Sequence, residues 1–213
     1  SPENDRGLLL RAAAAAAQAS VMLAPSTVER VSQCLPIPEP WNNDVRQSWV
    51  SLLGAGRAAV PVLEALDQAG IVSGLIPEWE AVRSLPQRNP IHEFTVDRHL
   101  VETAGHAGQR ARDVNRPDLL LVGAFLHDVG KGYPGDHSVV GADMTRDIAE
   151  RMGFDAADVD TLELLVRYHL LLPDIATRRD LDDPATVATV VDLVPDVESL
   201  ELLHALTWAD AEA

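Results

Sequence analysis

Gly123-Ala-Phe-Leu-His-Asp-Val-Gly-Lys-Gly-Tyr-Pro-Gly-Asp-His-Ser138 is the stretch from which the rest of the chain is read. It opens as the end of a helix running from Leu119 to Leu126, sets His127 beside Asp128, and stops that helix at Gly130. A helix reading Leu-Leu-Leu-Val-Gly-Ala-Phe-Leu is apolar on every side and belongs at the centre of a core. A carboxylate at its foot needs a partner, because a buried unpaired charge is costly. The ordinary partner is an arginine or a helix end, with His127 as a core histidine. The other is a divalent cation. Aspartate offers oxygens that reach one ion or bridge two, and histidine offers a nitrogen suited to Zn, Fe or Mn. Lys131 brings positive charge just beyond, where a phosphate would sit.

Further candidates turn the balance toward the cation. His99 precedes the doublet, and His137, His169 and Asp210 follow it, each in a segment that reads as helix or helix-flanking loop. Asp210 gains weight from the apolar run Leu200, Leu203 and Leu206 on its own helix. His92, His99 and His106 are spaced by seven, so His99 and His106 share a helical face. They lie about 10 Å apart along it, too far for one ion. His106, between Gly105 and Gly108, is expected at the surface. His92 is either close behind the ligands or a plain loop residue.

Composition narrows the field. The chain has 213 residues, 46% of them hydrophobic, enough for one large or two small domains. Aromatics are only 4%, so Leu, Val and Ala must fill the core. A net charge of -16, from 33 acidic against 17 basic residues, would be repelled by nucleic acid and by anionic membrane. No nucleic-acid or membrane partner is therefore expected. The single cysteine, Cys34, fits a reducing cytoplasm. Leu8 to Ala24 is Ala-rich and apolar, but it lacks a basic leader and is broken by Arg11 and Gln18, so it reads as an ordinary helix. The start without Met and the end at Ala213 suggest a piece of a longer protein.

Along the chain the pattern is helical throughout. Helices are expected from Leu8 to about Leu23, from Val28 to Leu35, through Trp49 to Leu53 behind a cap at Asn43-Asp44, and from Pro61 to Gly70, with a short one ending near Leu85. Pro86 to Pro90 is the best linker. Thr95 or Asp97 then opens a helix carrying His99, and Asp118 opens the central one. Helices follow over Val139–Met152, from a cap at Asp155 or Asp158 toward His169, from Pro184, and through Asp210. Arg178 and Arg179 are expected in a polar loop, holding a phosphate or pairing with Asp180, Asp182 and Asp183. The fold class is all-α, with a smaller helical segment over residues 1–88 and a ligand-bearing helical bundle over residues 89–213.

His99, His127-Asp128 and Asp210 resemble the ligand set of the HD superfamily of metal-dependent phosphohydrolases. His137 and His169 match the pattern of its two-metal members. The runs His92-Glu-Phe-Thr-Val-Asp-Arg-His99, Gly-Asp-His-Ser138, Arg167-Tyr-His-Leu170 and Ala176-Thr-Arg-Arg-Asp-Leu-Asp-Asp-Pro184 resemble more narrowly the HD domain of the bacterial bifunctional P-II uridylyltransferase/uridylyl-removing enzymes. The resemblance implies one or two divalent ions (Mn, Fe, Mg or Zn) and removal of uridylyl from the P-II regulatory protein with release of UMP. It also implies that residues 1–88 follow a nucleotidyltransferase domain and that other domains of a longer chain are partners. His99, His127, Asp128 and Asp210 would hold one ion, and Asp128 would bridge to a second held by His137 and His169. Lys131 would neutralise phosphate, Asp136 would handle protons, and Arg178, Arg179, Lys131 and His92 would contact substrate. A free nucleotide or alarmone as substrate, or a metal-stabilised regulatory module without turnover, are the alternatives.

Overall fold

The computed structural model describes residues 5–34, 36–87 and 94–213. Helices α1 (Leu8–Gln18), α2 (Pro25–Ser32), α3 (Asn43–Leu53), α4 (Ala59–Gln68) and α5 (Ile71–Leu75) come first. They are followed by α6 (Val96–Arg110), α7 (Pro117–Leu126), α8 (His137–Arg151), α9 (Ala156–Arg167), α10 (Leu171–Arg178), α11 (Pro184–Leu193) and α12 (Val197–Ala211). Short 3-10 turns occupy Gly56–Ala58, Pro77–Ala81 and Val129–Gly132, and the fold is all-α among the described residues. The expected boundary between residues 88 and 89 falls outside them.

Helix α7 is the axle. Every residue from Leu119 to Leu126 is buried, as an all-round apolar pattern demands. Around it pack α3, α6, α9 and α12. Gly123 makes one of these approaches possible, since a Cβ there would stand 3.0 Å from Leu165 Cδ1 on α9. Three of the scarce aromatics meet on this helix. Trp79 stacks on Phe125 at 4.7 Å between centroids, and Trp49 meets the same ring edge-on at 5.1 Å. Both indoles come from the first half of the chain, so residues on either side of residues 88–93 share one continuous core, from Leu9 to Ala209.

Several element ends differ from expectation for local reasons. Helix α1 stops at Gln18 rather than near Leu23. Ser20 takes a left-handed φ of 54°, and Val21 N–H donates back to Ala16 O at 2.9 Å, closing the helix while Val21 and Met22 stay in solvent. Helix α2 begins at Pro25, not Val28, because proline suits the first helical position. Asn42, not Asn43 or Asp44, caps α3 by accepting from Val45 N–H at 3.0 Å. The segment after Ile76 is a 3-10 turn instead of an α-helix. Arg178 ends α10 rather than lying in a loop. Among the described residues no single helix is long and apolar enough to cross a membrane; α3 and the turn-plus-α4 segment pass only as a pair bent by 103°.

Candidate metal centre

Four stretches deliver the side chains. Helix α6 starts behind Thr95, with Asp97 in its favoured first turn, and places His99 one turn in on the buried face. His127 is the residue that ends α7, directly after Leu126, and Asp128 follows it into the next turn. The 3-10 turn after it closes with Lys131 N–H donating to Asp128 O at 3.0 Å. Gly130 sits where a Cβ would come within 2.1 Å of His137 O and 2.6 Å of Gly141 N. Only glycine lets the start of α8 lie on this turn, which brings His137 over Asp128. Asp136 caps α8, accepting from Ser138 N–H at 2.9 Å, so the helix begins at His137 itself and not at Val139. His169 follows α9, and Asp210 lies in the last turn of α12.

These residues converge. His99 Nε2 lies 3.3 Å from His127 Nε2 and 2.9 Å from Asp210 Oδ1. His127 Nε2 lies 3.4 Å from Asp128 Oδ2 and 3.3 Å from Asp210 Oδ1. The other oxygen, Asp128 Oδ1, stands 3.6 Å from both His137 Nε2 and His169 Nε2. Asp128 is thus shared by two ligand clusters, His99-His127-Asp128 and Asp128-His137-His169.

The donor set fits cations. Ligand atoms bound at about 2.0–2.2 Å in a tetrahedral site lie roughly 3.3–3.6 Å from one another; the His127 spacings of 3.3, 3.4 and 3.3 Å match, while His99 Nε2 stands 3.8 Å from Asp128 Oδ2 and 2.9 Å from Asp210 Oδ1. His127 Nδ1–H donates to Ala124 O at 2.9 Å and His169 Nδ1–H donates to Val166 O at 2.7 Å. A carbonyl only accepts, so each ring turns its Nε2 into the site. In the second cluster, Asp128 Oδ1 and His137 Nε2 are buried and have no hydrogen-bond partner. Such orphaned atoms facing each other need a counter-charge between them.

Electrostatics says the same. Burial drives His127 down, but the Asp128 and Asp210 carboxylates outweigh it and raise the imidazole to about 10. Burial opposes ionisation of both carboxylates too. His127 with Lys131 and His169 holds Asp128 far below the carboxylate range, and His127 with His99 does so for Asp210. His169 is pushed down to about 4 by burial and by charge on His127. A proton on His127 does here what a cation would do better. Lys131 Nζ adds a second charge, 2.5 Å from Asp128 Oδ2.

The clusters open into a cavity of about 750 Å³ lined by Asp128, Lys131, His137, His169 and Asp210, with Gln87 and Tyr133 on its walls. Sequence reading missed Gln87 and Tyr133. Tyr133 had a signal, its place in the Gly-Pro loop; an amide in a linker has none. Asp136, Arg178 and Arg179 are not among the lining residues. Arg178 is exposed at the end of α10, 3.6 Å from Asp174 rather than from Asp180, Asp182 or Asp183. His92 lies outside the described residues. His106 is half-buried, its ring 6.2 Å from that of Trp208, not at the surface.

The sequence profile of the HD domain matches residues 96–210, which begin at α6 and end on Asp210. The chain belongs to the HD domain family. This HD chain is 57% identical over its whole length to the bifunctional uridylyltransferase/uridylyl-removing enzyme of Streptomyces coelicolor. It is 48% identical over its whole length to that of Mycobacterium tuberculosis and 38% identical over 99% of its length to that of Corynebacterium glutamicum. It spans about a quarter of the first two relatives, 26% of each.

Proposed function

We propose that this HD chain is a divalent-metal-dependent phosphodiester hydrolase that removes uridylyl groups from the P-II regulatory protein, releasing UMP, as part of a larger cytoplasmic enzyme. The observation that carries the chemistry is Asp128. One carboxylate faces His99 and His127 nitrogens on one side and His137 and His169 nitrogens on the other. The names of the relatives, which are uridylyl-removing enzymes, support removal of a uridylyl group, and P-II as its carrier follows from the sequence resemblance. His99, His127, Asp128 and Asp210 would hold one ion, and Asp128, His137 and His169 a second.

A bound divalent cation supplies an acidified water and neutralises charge at phosphorus. The chain's own groups do the rest. Asp128 keeps both clusters in register. Lys131, at the cavity wall beside Asp128, donates a hydrogen bond to a phosphoryl oxygen. Asp136 acts at one remove, by fixing the first turn of α8 and hence His137. The leaving tyrosine phenolate has a pKa of about 10 and departs without a strong acid, which suits a cavity wall that offers Lys131 but no protonated carboxyl. The opening of both clusters to a cavity favours turnover over a closed structural metal site.

The test is UMP release from uridylylated P-II by the Mn²⁺-loaded chain, beside free nucleotides and an alarmone as competitors. Preferential turnover of the protein ester supports this reading. Faster turnover of a free nucleotide transfers the activity to that substrate, and no turnover of any of them leaves a regulatory module.

A further inference from the structure

We infer that the outer face of α11 is a docking surface for a further domain of a longer polypeptide, which meets it through an apolar patch edged with lysine or arginine. This rests on the placement of the chain in a larger enzyme and not on its hydrolytic chemistry. Helix α11 reads Pro-Ala-Thr-Val-Ala-Thr-Val-Val-Asp-Leu, and of its ten residues only Thr186 is buried. A helix that faces water carries polar or charged residues on its outer side. This one carries no charge before Asp192 and turns a threonine inward. Val190 and Leu193 are half-buried against the core and hold the helix in place. Val187 and Val191, one turn apart on one side, are 54% and 66% exposed. Leu181 before the helix, and Val197 and Leu200 at the start of α12, are exposed as well. Five of the ten large apolar side chains exposed among the described residues thus fall between 181 and 200, which is a concentration and not scattered exposure.

Charge and length say what covers it. Asp182, Asp192, Glu198 and Glu201 are exposed in the same stretch, and among the described residues none of them pairs with a cation. Two copies of this face would set carboxylate against carboxylate, which disfavours a symmetric dimer. A visiting substrate protein is disfavoured as well. The cavity wall includes none of Leu181, Val187, Val191, Val197 and Leu200. A face covered only during turnover would also leave its valines in water the rest of the time, where such patches aggregate. A permanent cover is at hand. The chain spans 26% of its Streptomyces coelicolor relative, so about three quarters of a polypeptide of that length lies outside it. Tethered domains meet at high effective concentration, and a modest apolar patch with opposite charge at its rim then suffices to hold them.

The test follows amide hydrogen exchange over residues 184–193 in this chain and in the full-length polypeptide, each with and without Val187→Lys and Val191→Lys together. Lysine is a good helix former and both positions are exposed in this chain, so the paired change should leave its helical signal and melting temperature where they were. The expected result is exchange slower by at least about tenfold in the unaltered full-length polypeptide than in this chain, with the difference erased by the paired change. Equal exchange in the two unaltered proteins would mean an open face and overturn the inference. So would protection of this chain alone that grows with its own concentration, the mark of a second copy. Protection of the full-length polypeptide that appears only with uridylylated P-II would assign the face to the substrate, and protection that survives the paired change would place the cover elsewhere; each overturns it too. No arm depends on turnover. A full-length polypeptide that releases no UMP removes the hydrolase reading and leaves the docking face to be decided by exchange.

Discussion

The two sides of residues 88–93 bury different things. Among the described residues before them, the buried set is apolar, from Leu9 through Trp49 to Val82. Among the described residues the buried polar or charged ones lie after them: His99, Glu102, Thr103, His127, Asp128, Thr145, His169, Thr186 and Ser199. One core runs through both, so the difference is not one of packing quality. The first region spends its burial on stability, while the second carries imidazoles and carboxylates that an apolar core would hold more cheaply. The buried histidines and Asp128 gather at the candidate metal centre, whereas buried Glu102 is held by Arg98 at 2.6 Å and takes no part in it.

The sharpest way to break that contrast is to change one residue from each side of it. Asp128→Asn should abolish UMP release while leaving the helical circular dichroism intact, because it removes the charge shared by both clusters. Phe125→Ala strikes the aromatic lock between the regions and should lower unfolding free energy by about 3–5 kcal/mol in urea titrations. What folds should still bind metal. Were Asp128→Asn to unfold the chain and Phe125→Ala to be harmless, the division of labour would be reversed.

A smaller effect is expected with pH. In the chelated chain His127 is raised to about 10 from an ordinary value of 6.5. A raised imidazole stabilises fully below its unfolded pKa and stops doing so as pH climbs through the folded one. Thermal melting of the chelated chain should therefore fall between pH 7 and about 10. With metal bound the imidazole is a neutral ligand, so that decline should disappear, and metal affinity should rise with pH. Identical melting profiles with and without metal would separate His127 from the cation. Arg178→Ala should do least. Its side chain is 74% exposed and, among the described residues, pairs only with Asp174 on its own helix, so stability should shift by less than about 0.5 kcal/mol. A rise in KM for uridylylated P-II would instead restore its expected contact with substrate.

How far the sequence spoke depended on range. The apolar run Leu119–Leu126 and the His127-Asp128 doublet are local signals, and the axle helix with a candidate metal centre at its foot was legible from them. So were His99, His137, His169 and Asp210, as residue types that recur in one pattern. The reach of Gly130 to Gly141 was not, because it is a contact between two glycines that only the fold brings together. Gln87 was silent for a related reason: its hydrogen-bond partner Lys131 lies 44 positions away. Asp136 looked chemical from its place beside His137, yet its carboxylate is engaged with a backbone N–H, an ordinary competing use of aspartate before a helix. Arg178 and Arg179 were drawn to the site by charge alone, which sequence cannot aim.

The most direct measurement is metal content. The chain is dialysed against Mn²⁺, freed of loose ions, and analysed by mass spectrometry beside Asp128→Ala and His127→Ala. Tightly held manganese in the unaltered chain, lost from both variants while their helical signal persists, is the predicted result. An unaltered chain that retains no metal, or variants that keep as much of it, would contradict a cation site at Asp128.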